Sequence, residues 1–224
     1  MLFIGLIVMA VSAFVSWKLK SKFREYSQVG LSSNLSGKEI AEKMLRDNAI
    51  YDVKVIQVDG QLTDHYNPAD KTVNLSYDVY AGRSVASAAV SAHECGHAVQ
   101  HATAYSMLQF RSWMVPFLSI TSNYMQWIIL IGAFMVSYSI IPLAIGVALF
   151  ALTTIFSLIT LPVEYDASNR ALAWIRNQNV VNDREFDLAK DALKWAARTY
   201  LVAAIGSIAQ LLYLLSMLSG RSDD

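Results

Sequence analysis

The sequence predicts a mainly helical α+β protein: four transmembrane helices and a small soluble domain that is split around a membrane hairpin. Three observations predict it. Three long stretches carry no Asp, Glu, Lys, Arg or His. The segments between them alternate capped helices with short strands. Nearly all the basic residues fall on one side of the resulting topology. Composition agrees, with mean hydropathy +0.35, 54% apolar residues and only 16% charged residues in 224, where a soluble chain runs near ~25% charged. Formal neutrality, 18 basic against 18 acidic residues, excludes a basic nucleic-acid binder and an acidic disordered chain. A single cysteine excludes a disulfide scaffold and a Cys₄ or Cys₂His₂ zinc finger.

The first uncharged stretch, Leu2 to Trp17, reads as an N-terminal transmembrane anchor (1–17). Lys18, Lys20, Lys22 and Arg24 follow it and no cation precedes it, the reverse of a signal peptide. This pattern places the N-terminus outside and residue 18 onward in the cytoplasm. Residues 18–114 form the first soluble part. Ser36-Gly37-Lys38-Glu39 is a capping box that opens a helix to about Asn48. Val53 to Val58 alternates as a strand, and Thr72 to Ser76 is a second strand after the turn-rich Asn67-Pro68-Ala69-Asp70. A helix rich in small residues spans 84–105.

The second uncharged stretch runs from Ser112 to Val163. Its most apolar part, Trp127 to Leu161, would measure about 52 Å as one helix, too long for ~30 Å of hydrocarbon. Pro142, with Ser137, Tyr138 and Ser139 before it, divides it into a transmembrane hairpin over 115–163, turning near 138–142. Residues 164–198 return to the cytoplasm, where Asn182 to Glu185 caps a helix that continues into the last span, 199–220. Of the basic residues only Arg221 then lies outside, as the positive-inside rule expects of a multi-pass cell-membrane protein with its soluble part in the cytoplasm.

Inside the small-residue helix lies His93-Glu94-Cys95-Gly96-His97, an H-E-x-x-H. Residues four apart stack on one helix face, so both imidazoles can hold one Zn²⁺, and Glu94 lies close enough to act as general base without ligating. The bland reading is a histidine pair packed in a helical core. Composition alone predicts about 0.002 such patterns in this chain, so chance is a poor explanation.

Two histidines leave tetrahedral zinc one protein ligand short. His101 continues the same face but lies about 12 Å along the axis from His93, beyond the reach of one ion. A third histidine six residues past His97 would fall on Thr103. His65 is a candidate substrate contact or an ordinary loop histidine. Glu164 is the first ionisable residue after the uncharged stretch, and the hairpin returns it to the motif's side of the membrane. It is either the third ligand or simply the water boundary of a span; on charge alone both readings stand.

Several stretches together resemble a known group, the neutral zinc metallopeptidases of bacterial membranes (the YugP-like membrane proteases). They are Asp64-His65-Tyr66-Asn67-Pro68, Ser84-Val85-Ala86 with the motif through Ala102, Leu161-Pro162-Val163-Glu164-Tyr165-Asp166-Ala167-Ser168, and the closing Tyr200 to Leu215 span. They cover nearly the whole length. The resemblance implies a gluzincin-like zincin domain in a bacterial inner membrane, Zn²⁺ as cofactor, Glu164 as third ligand, and protein or peptide substrates, membrane proteins among them. In the wider gluzincin group an Asp four residues after the ligand Glu orients a ligand histidine. Here that position is Ser168, with Asp166 two residues after Glu164. Asp166 and Ser168 are both candidates for that role.

The expected mechanism is peptide hydrolysis with Glu94 as general base and His93, His97 and Glu164 as zinc ligands. The strand ending at Ser76 is expected to offer substrate a free edge. Cys95, off the metal-facing side, reads as a packing residue. Two rivals remain: an intramembrane protease with the motif helix in lipid, and a non-catalytic zinc scaffold.

Overall fold

A computed structural model describes residues 2–219, with side chains from Gly5 onward. The apolar N-terminal run and the basic residues after it form one helix, α1 (Leu2–Ser27). Then comes α2 (Gly37–Asp47), capped as its sequence predicts: the Ser36 hydroxyl accepts from the Glu39 amide while the Glu39 carboxylate accepts from the Ser36 amide. Its Ile40, Ala41, Met44 and Leu45 are buried, each large side chain contributing about 1.5–3 kcal/mol by leaving water.

Three strands follow, β1 (Lys54–Val58), β2 (His65–Asn67) and β3 (Thr72–Ser76). They form one sheet in the order β1-β3-β2, with β1 parallel and β2 antiparallel to β3. This corrects the expectation of a free edge on the Thr72–Ser76 strand, because β3 is central and paired on both sides. The edge next to the motif helix belongs to β2. That strand is short and bounded by Asp64 and by Asn67-Pro68, so its alternation is too brief to read as a strand in sequence.

A one-turn helix, α3 (Tyr77–Tyr80), leads to the motif helix α4 (Val85–Ala102), N-capped by Ser84. It occupies most of the expected 84–105 segment. Almost every face of α4 is covered. Ala86, Ala88, Ala89 and Ala92 have no exposed surface, and their small size lets α2, the sheet and the later helices approach on all sides. The core they complete includes Ile40, Met44, Leu75, Val79, Val85 and Ile175.

The remaining chain is three long helices, α5 (Ser106–Met135), α6 (Ile141–Asn177) and α7 (Asp183–Ser219). Among the described residues these three are long and apolar enough to cross a membrane. Large apolar side chains such as Trp113 (75% exposed) and Phe134 (79%) stand bare on α5, as lipid-facing groups do. The break between α5 and α6 falls at residues 136–140, where the turn of the hairpin is expected. The two arms meet closely because Gly132 lies against the Leu143 backbone and Gly146 against Ile129. The helices ignore the composition boundaries, however. α5 starts before residue 115 and includes Arg111, and α6 runs through Val163 to Asn177 without a break. Charge marks where a helix meets water, whereas helix ends are set by caps and breakers, and no cap lies near residue 163.

Candidate metal centre

His93 and His97 sit one turn apart on α4, and Glu164 reaches them from α6. The two helices can approach because position 96 is glycine: a Cβ there would lie 2.5 Å from the Ala167 carbonyl oxygen. The result is a compact donor set. The Glu164 Oε2 is 3.2 Å from His93 Nε2 and 3.5 Å from His97 Nε2, and one ligand atom from each of the three residues falls within 4.8 Å of the others. The carboxylate is 2% exposed. Its other oxygen, Oε1, accepts from Arg111 at 3.1 Å.

These residues fit a zinc ion. Bonds of about 2.0–2.1 Å in a tetrahedron separate neighbouring donors by about 3.3 Å, close to the two His–Glu separations of 3.2 and 3.5 Å. The donor chemistry, two imidazole nitrogens and one carboxylate oxygen, is that of hydrolytic zinc sites. Electrostatics are consistent with a charge-dense pocket. Burial pushes the Glu164 carboxyl up, but hydrogen bonds from His93 and His97 outweigh it and hold it well below the carboxylate range. Burial acts to lower the His97 imidazole, and its contacts with Glu164 overcome this and raise it.

The outer nitrogens of both imidazoles are engaged. His93 Nδ1 faces the Ser168 hydroxyl at 3.2 Å, and His97 Nδ1 faces Gln100 Oε1 at 2.9 Å. Asp166 bonds to neither His93 nor His97: its carboxylate accepts from Gln100 Nε2 at 2.8 Å and from Arg170 Nε at 2.6 Å. Of the two positions flagged after Glu164, Ser168 contacts His93 directly and Asp166 meets His97 only through Gln100.

Glu94 lies next to this cluster, 8% exposed. Its Oε2 accepts the Tyr66 backbone N–H of β2 at 3.0 Å. A cavity of about 360 Å³ opens there, bounded by β2 on one side and by α5, α6 and Tyr200 of α7 on the other. His65 lines it, with its Nδ1 2.7 Å from the Thr63 carbonyl. His101 lies outside the cluster and contacts the Tyr66 hydroxyl at 2.7 Å. Cys95 is fully buried with its thiol pushed up by desolvation, a packing residue as its place in the helix suggests.

Sequence reasoning missed Arg111, Gln100, Tyr66 and Tyr200. A signal existed for the first: Arg111 and Glu164 are the last charge before the uncharged stretch and the first after it. A hairpin must bring those two ends together. Gln100 is one turn beyond His97, which marks a possible neighbour but not a partner. Nothing in sequence pointed to a Tyr66 backbone N–H.

The comparisons with known proteins agree with this chemistry. The family described as "Putative neutral zinc metallopeptidase" matches residues 1–219. The chain is also similar to the "Putative membrane protease YugP" of Bacillus subtilis (strain 168), 39% identical over 227 residues and covering the whole of both chains. No solved structure matches it significantly. With a site suited to zinc, helices suited to a membrane and a match along nearly its entire length, this chain belongs to the neutral zinc metallopeptidase family.

Proposed function

We propose that the protein is a membrane-embedded zinc endopeptidase that cuts polypeptides at the cytoplasmic surface of the bacterial inner membrane, with His93, His97 and Glu164 as ligands and Glu94 as general base. The observation that carries this reading is the meeting of those four side chains beside one cavity, at the level where α5, α6 and α7 change from uncharged to charged sequence. Four spans are proposed: the apolar part of α1, then α5, the first half of α6 and the second half of α7, with the N-terminus outside. The burial of α4 among α2, α6 and the sheet supports a site at the surface rather than in lipid.

Bound zinc would supply a Lewis acid that brings the pKa of water toward about 7 and polarises a carbonyl. The chain's own residues do the remaining work. Glu94, with Oε2 held by the Tyr66 amide, has Oε1 left to take a proton from the attacking water and return it to the leaving amine. Arg111 holds Oε1 of Glu164 and so keeps Oε2 turned toward the imidazoles. β2 runs along the cavity, its outward Tyr66 N–H held by Glu94, and can border an extended substrate.

The test is to purify the wild type and Glu94→Gln, measure zinc content, and assay cleavage of unfolded and membrane-protein substrates. Equal zinc with cleavage only by the wild type is expected. Equal zinc and equal cleavage would leave the scaffold reading in place of the enzyme. Cysteine labelling at Ser222 from outside the cell tests the sidedness.

A further inference from the structure

We infer that Gln100 is a positioning residue that fixes the proton of His97 on Nδ1, and that Asp166 acts by holding the Gln100 amide in the one orientation that does so. The inference rests on His97 being a metal ligand and concerns the group that aims it. Gln100 is fully buried, one turn past His97 on α4. Its Nε2 lies 2.8 Å from the Val163 carbonyl oxygen and 2.8 Å from Asp166 Oδ2. Its Oε1 lies 2.9 Å from His97 Nδ1.

The two ends of a carboxamide have nearly the same shape, so chemistry must decide which is which. A carbonyl oxygen only accepts, and Asp166 Oδ2 already accepts from Arg170. Two acceptors on one side require the two hydrogens of the NH₂ group there. The amide oxygen then faces His97 and can only accept, so His97 Nδ1 must carry hydrogen. In the neutral imidazole the lone pair is therefore on Nε2, the atom aimed at the Glu164 cluster. A flipped amide would set oxygen against two oxygens and lose both of those bonds, keeping only one from its NH₂ to an unprotonated Nδ1. The arrangement at His93 lacks this constraint, because the Ser168 hydroxyl can either give or take a hydrogen bond. His97 is locked and His93 is adaptable.

The same amide holds α4 to the carbonyl of Val163, the residue just before the ligand Glu164. One buried group thus sets both the tautomer of one ligand and the backbone position of another. Partners of this kind change metal affinity by about 10–100-fold when removed.

The experiment uses the full chain in detergent, with zinc affinity read by chelator competition and the melting temperature of the metal-stripped protein as the folding control. Gln100→Met fills the volume without the bonds and should bind zinc about 10–100-fold more weakly. Gln100→Glu places a carboxylate against Asp166 and Val163 and should also weaken binding. Adding Asp166→Asn to it supplies a donor to Glu at 100, which still accepts from His97, and should recover at least tenfold of the loss. That restored bond also ties α4 to α6, so the tautomer of His97 is what separates positioning from a purely structural role. Wild-type protein labelled with ¹⁵N-histidine gives a second readout that needs no variant at Gln100. Stripped of metal at alkaline pH, neutral His97, assigned with His97→Gln, should show the Nδ1–H tautomer. An Nε2–H tautomer, zinc affinity of Gln100→Met within twofold of wild type, or a double variant no better than Gln100→Glu would each overturn the inference alone. Equal zinc uptake by wild type and a His93→Ala, His97→Ala variant would overturn the metal centre itself.

Discussion

Replacing Gly96 by alanine adds one methyl group at the point where the helix carrying His93 and His97 crosses the helix carrying Glu164. That methyl would lie 2.5 Å from the Ala167 carbonyl oxygen and 3.1 Å from the carbonyl carbon and Cα of the same residue. Ordinary contact begins near 3.4 Å, so the shortfall is about 0.9 Å, and overpacking of this kind costs about 1–3 kcal/mol. The obstructing atoms are backbone, so no rotamer change relieves them and the helices must separate. Glu164 is one turn from Ala167, and a retreat of even about 0.5 Å exceeds the ±0.2 Å within which metal–ligand distances hold. Gly96→Ala is therefore expected to weaken zinc binding by about 10–100-fold, or about 1.4–2.7 kcal/mol, measured by chelator competition. Gly132→Ala is the comparison. Its Cβ would lie 2.5 Å from the Leu143 amide nitrogen, an equally tight crossing in the α5–α6 hairpin but far from the site. It should lower the melting temperature and leave zinc affinity unchanged. If Gly96→Ala lost stability like Gly132→Ala while keeping zinc affinity within threefold of wild type, the helix crossing would not be what assembles the donor set.

Three further outcomes follow from the same geometry. Tyr66→Pro removes the N–H that holds Glu94, on the edge of β2 that faces away from β3, where proline is tolerated; kcat should fall about tenfold or more, whereas Tyr66→Ala, which keeps the N–H, should fall much less. Burial raises the Asp64 carboxyl above its usual value of 3.8 despite hydrogen bonds from the Ser76 amide and hydroxyl. A raised folded-state pKa means that its contribution is fully present below about pH 3.8 and lost as pH rises through the folded value. Asp64→Asn should therefore melt higher than wild type at pH 7, with the gap closing as pH falls toward 4; a constant gap would refute this. Stripping zinc should lower the melting temperature, since free metal at about 100 times its dissociation constant stabilises by about 2.7 kcal/mol; wild type that melts alike with and without chelator would have no metal tied to its fold.

Much of this architecture was legible because it rests on local chemistry. The Ser36–Glu39 capping box, the motif helix, the hairpin turn near Pro142 and the Asn182–Glu185 cap each depend on residues a few positions apart. Glu164 could be placed near His93 and His97 because an uncharged stretch too long for one span forces a return to the same side. What stayed hidden depends on packing across distant segments. β2 has three residues and gains its place only by pairing with β3. The contact of Gln100 with Asp166 requires the side-by-side alignment of α4 and α6, which no periodicity records. The Tyr66 amide is a backbone group, and sequence carries no mark of where a particular N–H points.

The candidate metal centre draws on residues 71 apart in sequence, His93 and Glu164, with all of α5 and most of α6 between them. A ribosome that has released α4 has made His93, Glu94 and His97 but not Glu164. The centre closes only after the hairpin has been synthesised, turned and packed. Throughout the interval in which its own unfolded chain is the nearest polypeptide, the nascent protein is without a complete donor set. Order of synthesis alone thus keeps the proposed donor set incomplete until the hairpin has formed.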